Sequence, residues 1–159
     1  MSTKPLPDIA AMLGEFIGGV PEPLQPRFLA LLERAAGDRY EAWAKELPEH
    51  AAGLLVCRSR EIEIAETAER IFPLDTEARA KLDAPLARAK ETYLGALAEL
   101  SPRDQLRLQS NGERAGGGAW RGFAAAVSDA KGRAAVERSA ELEEANASYL
   151  DGLVARLRD

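Results

Sequence analysis

The 159-residue chain is 46% apolar and 30% charged, carries a net charge of -5, and contains one Cys and one His. That length suits one domain over 1–159 with its own core, and a lone thiol excludes an internal disulfide. The acidic balance gives no broad attraction to nucleic acid or anionic membranes, while abundant alanine and few β-branched residues predict an all-α, soluble protein.

Near the N-terminus, Asp8 is placed to cap a short helix with Ile9, Met12, Leu13, Phe16 and Ile17 at helical spacing, stopped by Gly18-Gly19. The apolar run IAAMLGEFIGGV is interrupted by Glu15 and lacks a basic start beyond Lys4, so neither a membrane span nor an export signal is read there. A cytoplasmic location is the default expectation. Pro21, Pro23 and Pro26 predict an extended connector over 20–26 before the next helix. Phe28, Leu31, Leu32 and Ala35 then form an apolar stripe. Gly37, followed by an Asp38 to Glu41 capping box, predicts a break or sharp kink before a second piece bearing Tyr40, Trp43 and Leu47.

The stretch 48–72 reads as a long helix, with Ser59, Arg60, Glu63, Glu66, Thr67 and Arg70 on a wet face. Its opposite arc mixes Leu54, Leu55, Ile62, Ala65 and Phe72 with five polar residues, His50, Cys57, Arg58, Glu61 and Glu69. Cys57 reads as a buried, inert thiol. Arg58 and Glu61 have the i,i+3 spacing of an intrahelical pair.

Pro73 ends that helix and Asp75 caps the next, which Pro85 either kinks or restarts from Asp83. Ser101-Pro102 is a helix start, and Asn111-Gly112 predicts an early close followed by a loose segment through Gly116-Gly117-Gly118. Trp120, Phe123 and Val127 follow as a compact aromatic face. Ser128 or Asp129 caps a last helix with Ala135, Leu142, Tyr149, Leu153 and Leu157 inward. Long helices joined by short turns predict an up-and-down helical bundle, with the short N-terminal helix packed across one end.

Several chemistries are disfavoured by residue type. The di-iron site of ferritin-like bundles uses two Glu-x-x-His pairs, and here His50 is the sole histidine, with Leu at position 47. No metal site and no cofactor motif are therefore expected. Cys57 and His50 stand seven residues apart, about 10 Å along a helix, too far for a direct thiol-imidazole pair. The triple glycine lacks the strand, Lys and Ser/Thr of a phosphate loop, and Arg103, Arg107, Arg114 and Arg121 are diluted by Asp104 and Glu113.

The sequence thus points to a non-catalytic binding or protein-interaction domain that engages a protein partner or self-associates as a homodimer through the alanine-rich face of its last helix. The alternative is a small-molecule-binding protein or enzyme. It would use the interior cluster His50, Arg58, Glu61 and Glu69, with Arg58 holding a small anionic ligand. A large exposed apolar patch would favour the first, and an enclosed pocket with convergent polar groups the second.

Overall fold

The structure, a computed structural model, describes residues 5–157. Its helices are α1 (Ile9–Gly18), α2 (Gln25–Glu46), α3 (Ala51–Ile71), α4 (Thr76–Ala80), α5 (Asp83–Ala98), α6 (Pro102–Ala125) and α7 (Ala130–Arg156), with single tight turns at Glu22–Leu24 and Pro48–His50. No strand occurs among the described residues, and none of their helices is long and apolar enough to cross a membrane. The all-α bundle expected from composition is what forms.

The helix starts follow the sequence closely. The side chains of Asp8, Asp75, Ser101 and Asp129 accept from the backbone N–H of Ala11, Ala78, Asp104 and Gly132 respectively, each satisfying an amide that has no intrahelical partner. Pro85 falls in the first turn of α5, where its missing N–H costs nothing.

Two expected interruptions are absent, and for the same reason. Helix α2 runs unbroken through Gly37, where an added Cβ would sit 3.6 Å from Glu61 Cβ. Helix α6 runs unbroken from 102 to 125, although it contains Gly112 and the 116–118 triplet. A Cβ on Gly112 would lie 3.4 Å from Ile9 Cγ1, and one on Gly117 3.5 Å from the Ala140 carbonyl. These glycines let neighbouring helices approach; they do not punctuate the chain. The roughly 1 kcal/mol that a mid-helix glycine costs is offset by the contacts that this approach permits.

The four long helices form the bundle, and two apolar clusters give their directions. At one end Tyr40 and Trp43 of α2 meet Leu54 and Cys57 of α3, Leu106 of α6, and Leu150 and Leu153 of α7. At the other end Leu29 of α2 meets Ile64 and Ala68 of α3, Trp120 of α6, and Val136 and Ala140 of α7. Helices α2 and α7 therefore run one way and α3 and α6 the other. The order is up-down-down-up, which departs from strict up-and-down alternation because α4 and α5 carry the chain back along the bundle between α3 and α6. Helix α5 rests on α2, and α1 on α6 and α2.

Candidate metal centre

Between the two apolar clusters lies a polar layer. Each long helix contributes one glutamate to it from mid-length: Glu33 from α2, Glu61 from α3, Glu113 from α6 and Glu143 from α7, all buried. Local helical geometry explains why they point inward. Each sits within the buried stripe of its own helix, as in Leu106, Gln109, Glu113, Gly117, Trp120 and Ala124 on α6, which is the three-and-four spacing of a core face.

Glycines make room at the same level. Gly37 faces Glu61, and a Cβ on Gly116 would stand 2.6 Å from Glu143 Oε1. The carboxyls form a closed ring, with hydrogen-bonding contacts from Glu33 to Glu61 and Glu143, and from Glu113 to the same two. One ligand oxygen each from Glu33, Glu61 and Glu143 can be chosen so that all three lie within 4.8 Å of one another.

Several polar side chains donate to the ring. Trp120 Nε1 donates to Glu33 Oε1 at 3.0 Å and to Glu143 Oε1 at 3.1 Å. Tyr40 Oη and Gln109 Nε2 donate to Glu113 Oε1 at 2.7 and 2.6 Å, and Asn146 Nδ2 donates to Glu61 Oε1 at 2.6 Å. Donors of this kind orient carboxylates and favour their ionised form. They leave Glu61 Oε2 buried with no N–H or hydroxyl donor, facing only the neighbouring carboxyls.

Among the described residues no lysine or arginine makes an ion pair with any of the four glutamates. Burial, and then repulsion from neighbouring carboxylates, pushes Glu61 and Glu143 well above the usual carboxylate range. Glu33 is pushed up to about 7, first by burial. Several kcal/mol per ion is the cost of holding such charges in an interior without compensation, so the ring requires either shared protons or a cation.

Of the residues singled out by sequence, the structure brings only Glu61 into this layer. Half-buried His50 lies in the turn before α3, its backbone carbonyl accepting from Tyr149 at 3.3 Å. Arg58 does not pair with Glu61. It turns to α2, its Nε 3.2 Å from Glu41 Oε2 in an ion pair that lacks hydrogen-bond alignment. Glu69 binds Arg34 of α2 through two hydrogen bonds of 2.7 and 2.9 Å at the bundle surface. The wheel of one helix grouped these side chains, but the antiparallel neighbour α2 drew two of them outward.

No family model, curated protein or solved structure matches the chain. The donor set is all oxygen, contributed by carboxylates and devoid of His and Cys, which suits hard cations such as Mg²⁺, Ca²⁺ or Mn²⁺ over softer ions. Asn146 occupies the position three residues after Glu143, where a Glu-x-x-His motif would place its histidine. Its amide donates to Glu61, fixing a carboxylate where the histidine would have bound metal directly.

Proposed function

We propose that the chain binds hard divalent cations at the ring Glu33, Glu61, Glu113 and Glu143 and acts as a metal-dependent helical protein. The observation that carries this reading is the closed ring of four buried carboxyls, none of them in an ion pair with a lysine or arginine among the described residues, in which Glu61 Oε2 meets only neighbouring carboxyls. Four carboxylates match the charge of two divalent ions, and a glutamate from each of four bundle helices is the scaffold that carboxylate-bridged metal pairs use. A bound ion would supply Lewis acidity at the bundle centre. Trp120, Gln109, Tyr40 and Asn146 would hold its ligands in place.

The interior-site reading of the sequence is thereby favoured, with a different membership from the His50, Arg58, Glu61 and Glu69 set. The interaction reading has less support. Exposed large apolar side chains among the described residues are limited to Leu55, Val56 and Leu94, on α3 and α5, fewer than a partner-binding patch needs.

The test is calorimetric titration of Mn²⁺ into chelator-treated protein at pH 7.5. Saturable binding is expected in the wild type, with a loss of about tenfold or more in affinity in Glu61→Gln and in Glu143→Gln. Equal uptake by the wild type and the Glu61→Gln/Glu143→Gln double variant would overturn the reading.

A further inference from the structure

The carboxylate ring is not sealed on all sides. Glu33, Glu113 and Glu143 also form the floor of a cavity of about 90 Å³ whose outer walls are apolar, with Ile9, Leu13 and Phe16 of α1 closing one side and Leu29 and Leu32 of α2 another. The space exists because small residues face it: Ala36, Ala89, Gly112 and Gly116. Tyr93 on α5 also lines it and donates to Gln109 Oε1, while Gln109 Nε2 donates to Glu113. The cavity is therefore two-ended, polar and acidic inside, apolar outside.

Resting on the metal reading for its inner end, we propose that this cavity binds a small, uncharged, largely apolar molecule and holds one end of it against the metal-bearing carboxylates.

The walls determine the class. A water molecule needs two to four polar partners, which the outer half does not offer, so an apolar occupant is favoured there. Charge is disfavoured in either sign at the apolar walls. Lys90, the one cationic side chain among the described lining residues, is exposed to solvent, so it offers an anion little within the cavity. The volume bounds the size. An apolar cavity of about 150 Å³ accommodates benzene, so a pocket of 90 Å³ that opens outward takes a molecule of no more than a few heavy atoms fully inside, or a ring with one edge at the mouth.

The experiment uses the full chain with benzene as probe and butanoate as the charged control, followed by amide chemical shifts. Benzene is expected to shift the Gly112 and Gly116 amides saturably, and butanoate to leave them unmoved. Ala36→Leu and Leu32→Phe, which fill the cavity from its wall, should each weaken benzene binding by about tenfold while Mn²⁺ uptake is retained; either variant suffices if the other fails to fold. With Mn²⁺ bound, relaxation of the benzene protons should be enhanced, placing the ring beside the ion.

Mn²⁺ uptake without benzene shifts would overturn the pocket and leave the metal site standing. Absence of Mn²⁺ uptake would overturn the metal reading and with it the contact proposed here. Tighter binding of butanoate than of benzene would overturn the assignment of an uncharged ligand.

Discussion

Glu61 shows most plainly what a buried carboxylate demands. One oxygen is held by Asn146 and the other meets only neighbouring carboxyls, so its charge state must follow either protons or metal. The metal-free protein should accordingly lose stability as pH rises. Glu33 is raised from 4.5 to about 7, so its contribution is fully present below about 4.5 and lost as pH climbs to about 7; Glu61 and Glu143, raised well above the usual carboxylate range by burial, act in the same direction. Glu69, lowered by Arg34, works in the opposite sense, but only as pH falls below the usual carboxylate range. Each tenfold change in proton affinity between the folded and unfolded chain is worth about 1.4 kcal/mol, so the carboxyl ring outweighs Glu69 between pH 5 and 8. Urea unfolding of chelated protein should give a lower midpoint at pH 8 than at pH 5, and Glu61→Gln should flatten that slope. A midpoint that rises over this interval would contradict the account.

Gly116 offers a second test of the same ring. An alanine there would place its Cβ 2.6 Å from Glu143 Oε1, and the flexible end of Glu143 must swing aside. Helix propensity favours alanine by up to about 1 kcal/mol. Gly116→Ala should therefore change metal-free stability by no more than about 1 kcal/mol while lowering Mn²⁺ affinity by about tenfold. Unaltered affinity would mean that Glu143 is not held as a ligand.

The elements themselves were largely legible in the sequence. Caps at Asp8, Asp75, Ser101 and Asp129, and proline stops after α3, placed the helix boundaries because these depend on local chemistry. Glycines 37, 112, 116 and 117 misled, because a glycine that ends a helix and one that admits a neighbouring helix look alike along one chain. The distinction has an observable consequence. Backbone amides from 112 to 118 should exchange with deuterium as slowly as those elsewhere in the middle of α6. Fast exchange confined to that segment would restore the loose connector that the sequence suggested.

The site was half legible for a related reason. Glu61 stood out because the polar residues of 48–72 crowded its apolar arc, whereas Glu33 is the one buried charged residue of its stripe, and Glu113 and Glu143 share theirs with the uncharged Gln109 and Ser110, and Ser139 and Asn146. A signal was present all the same: each of the four long helices carries one glutamate near its centre, in register with its own core residues. The lack of histidines masked it, because an all-carboxylate layer carries no spacing motif along the chain. Arg58 and Glu69 could not be placed without knowing that α2 lies against α3 and offers Glu41 and Arg34 at the matching heights.

Across the whole molecule, the crossover through α4 and α5 returns the chain so that four glutamates converge in one layer, with an apolar cluster above and below. Metal should then act as a staple across all four helices. Binding to the native state alone stabilises by RT ln(1 + [L]/Kd), about 2.7 kcal/mol at a hundredfold excess over Kd. Saturating Mn²⁺ at pH 8 should thus raise Tm by several degrees in the wild type and leave the Glu61→Gln/Glu143→Gln variant unmoved.

The most direct measurement is location. Crystals soaked in Mn²⁺ and measured at a wavelength where manganese scatters anomalously should show a peak in the polar layer, with Glu61 Oε2 and oxygens of Glu33 and Glu143 drawn to roughly 2.0 to 2.3 Å from it. Anomalous peaks confined to surface carboxylates, with no ion beside Glu61 Oε2 at saturating Mn²⁺, would contradict the claim that this ring is a metal centre.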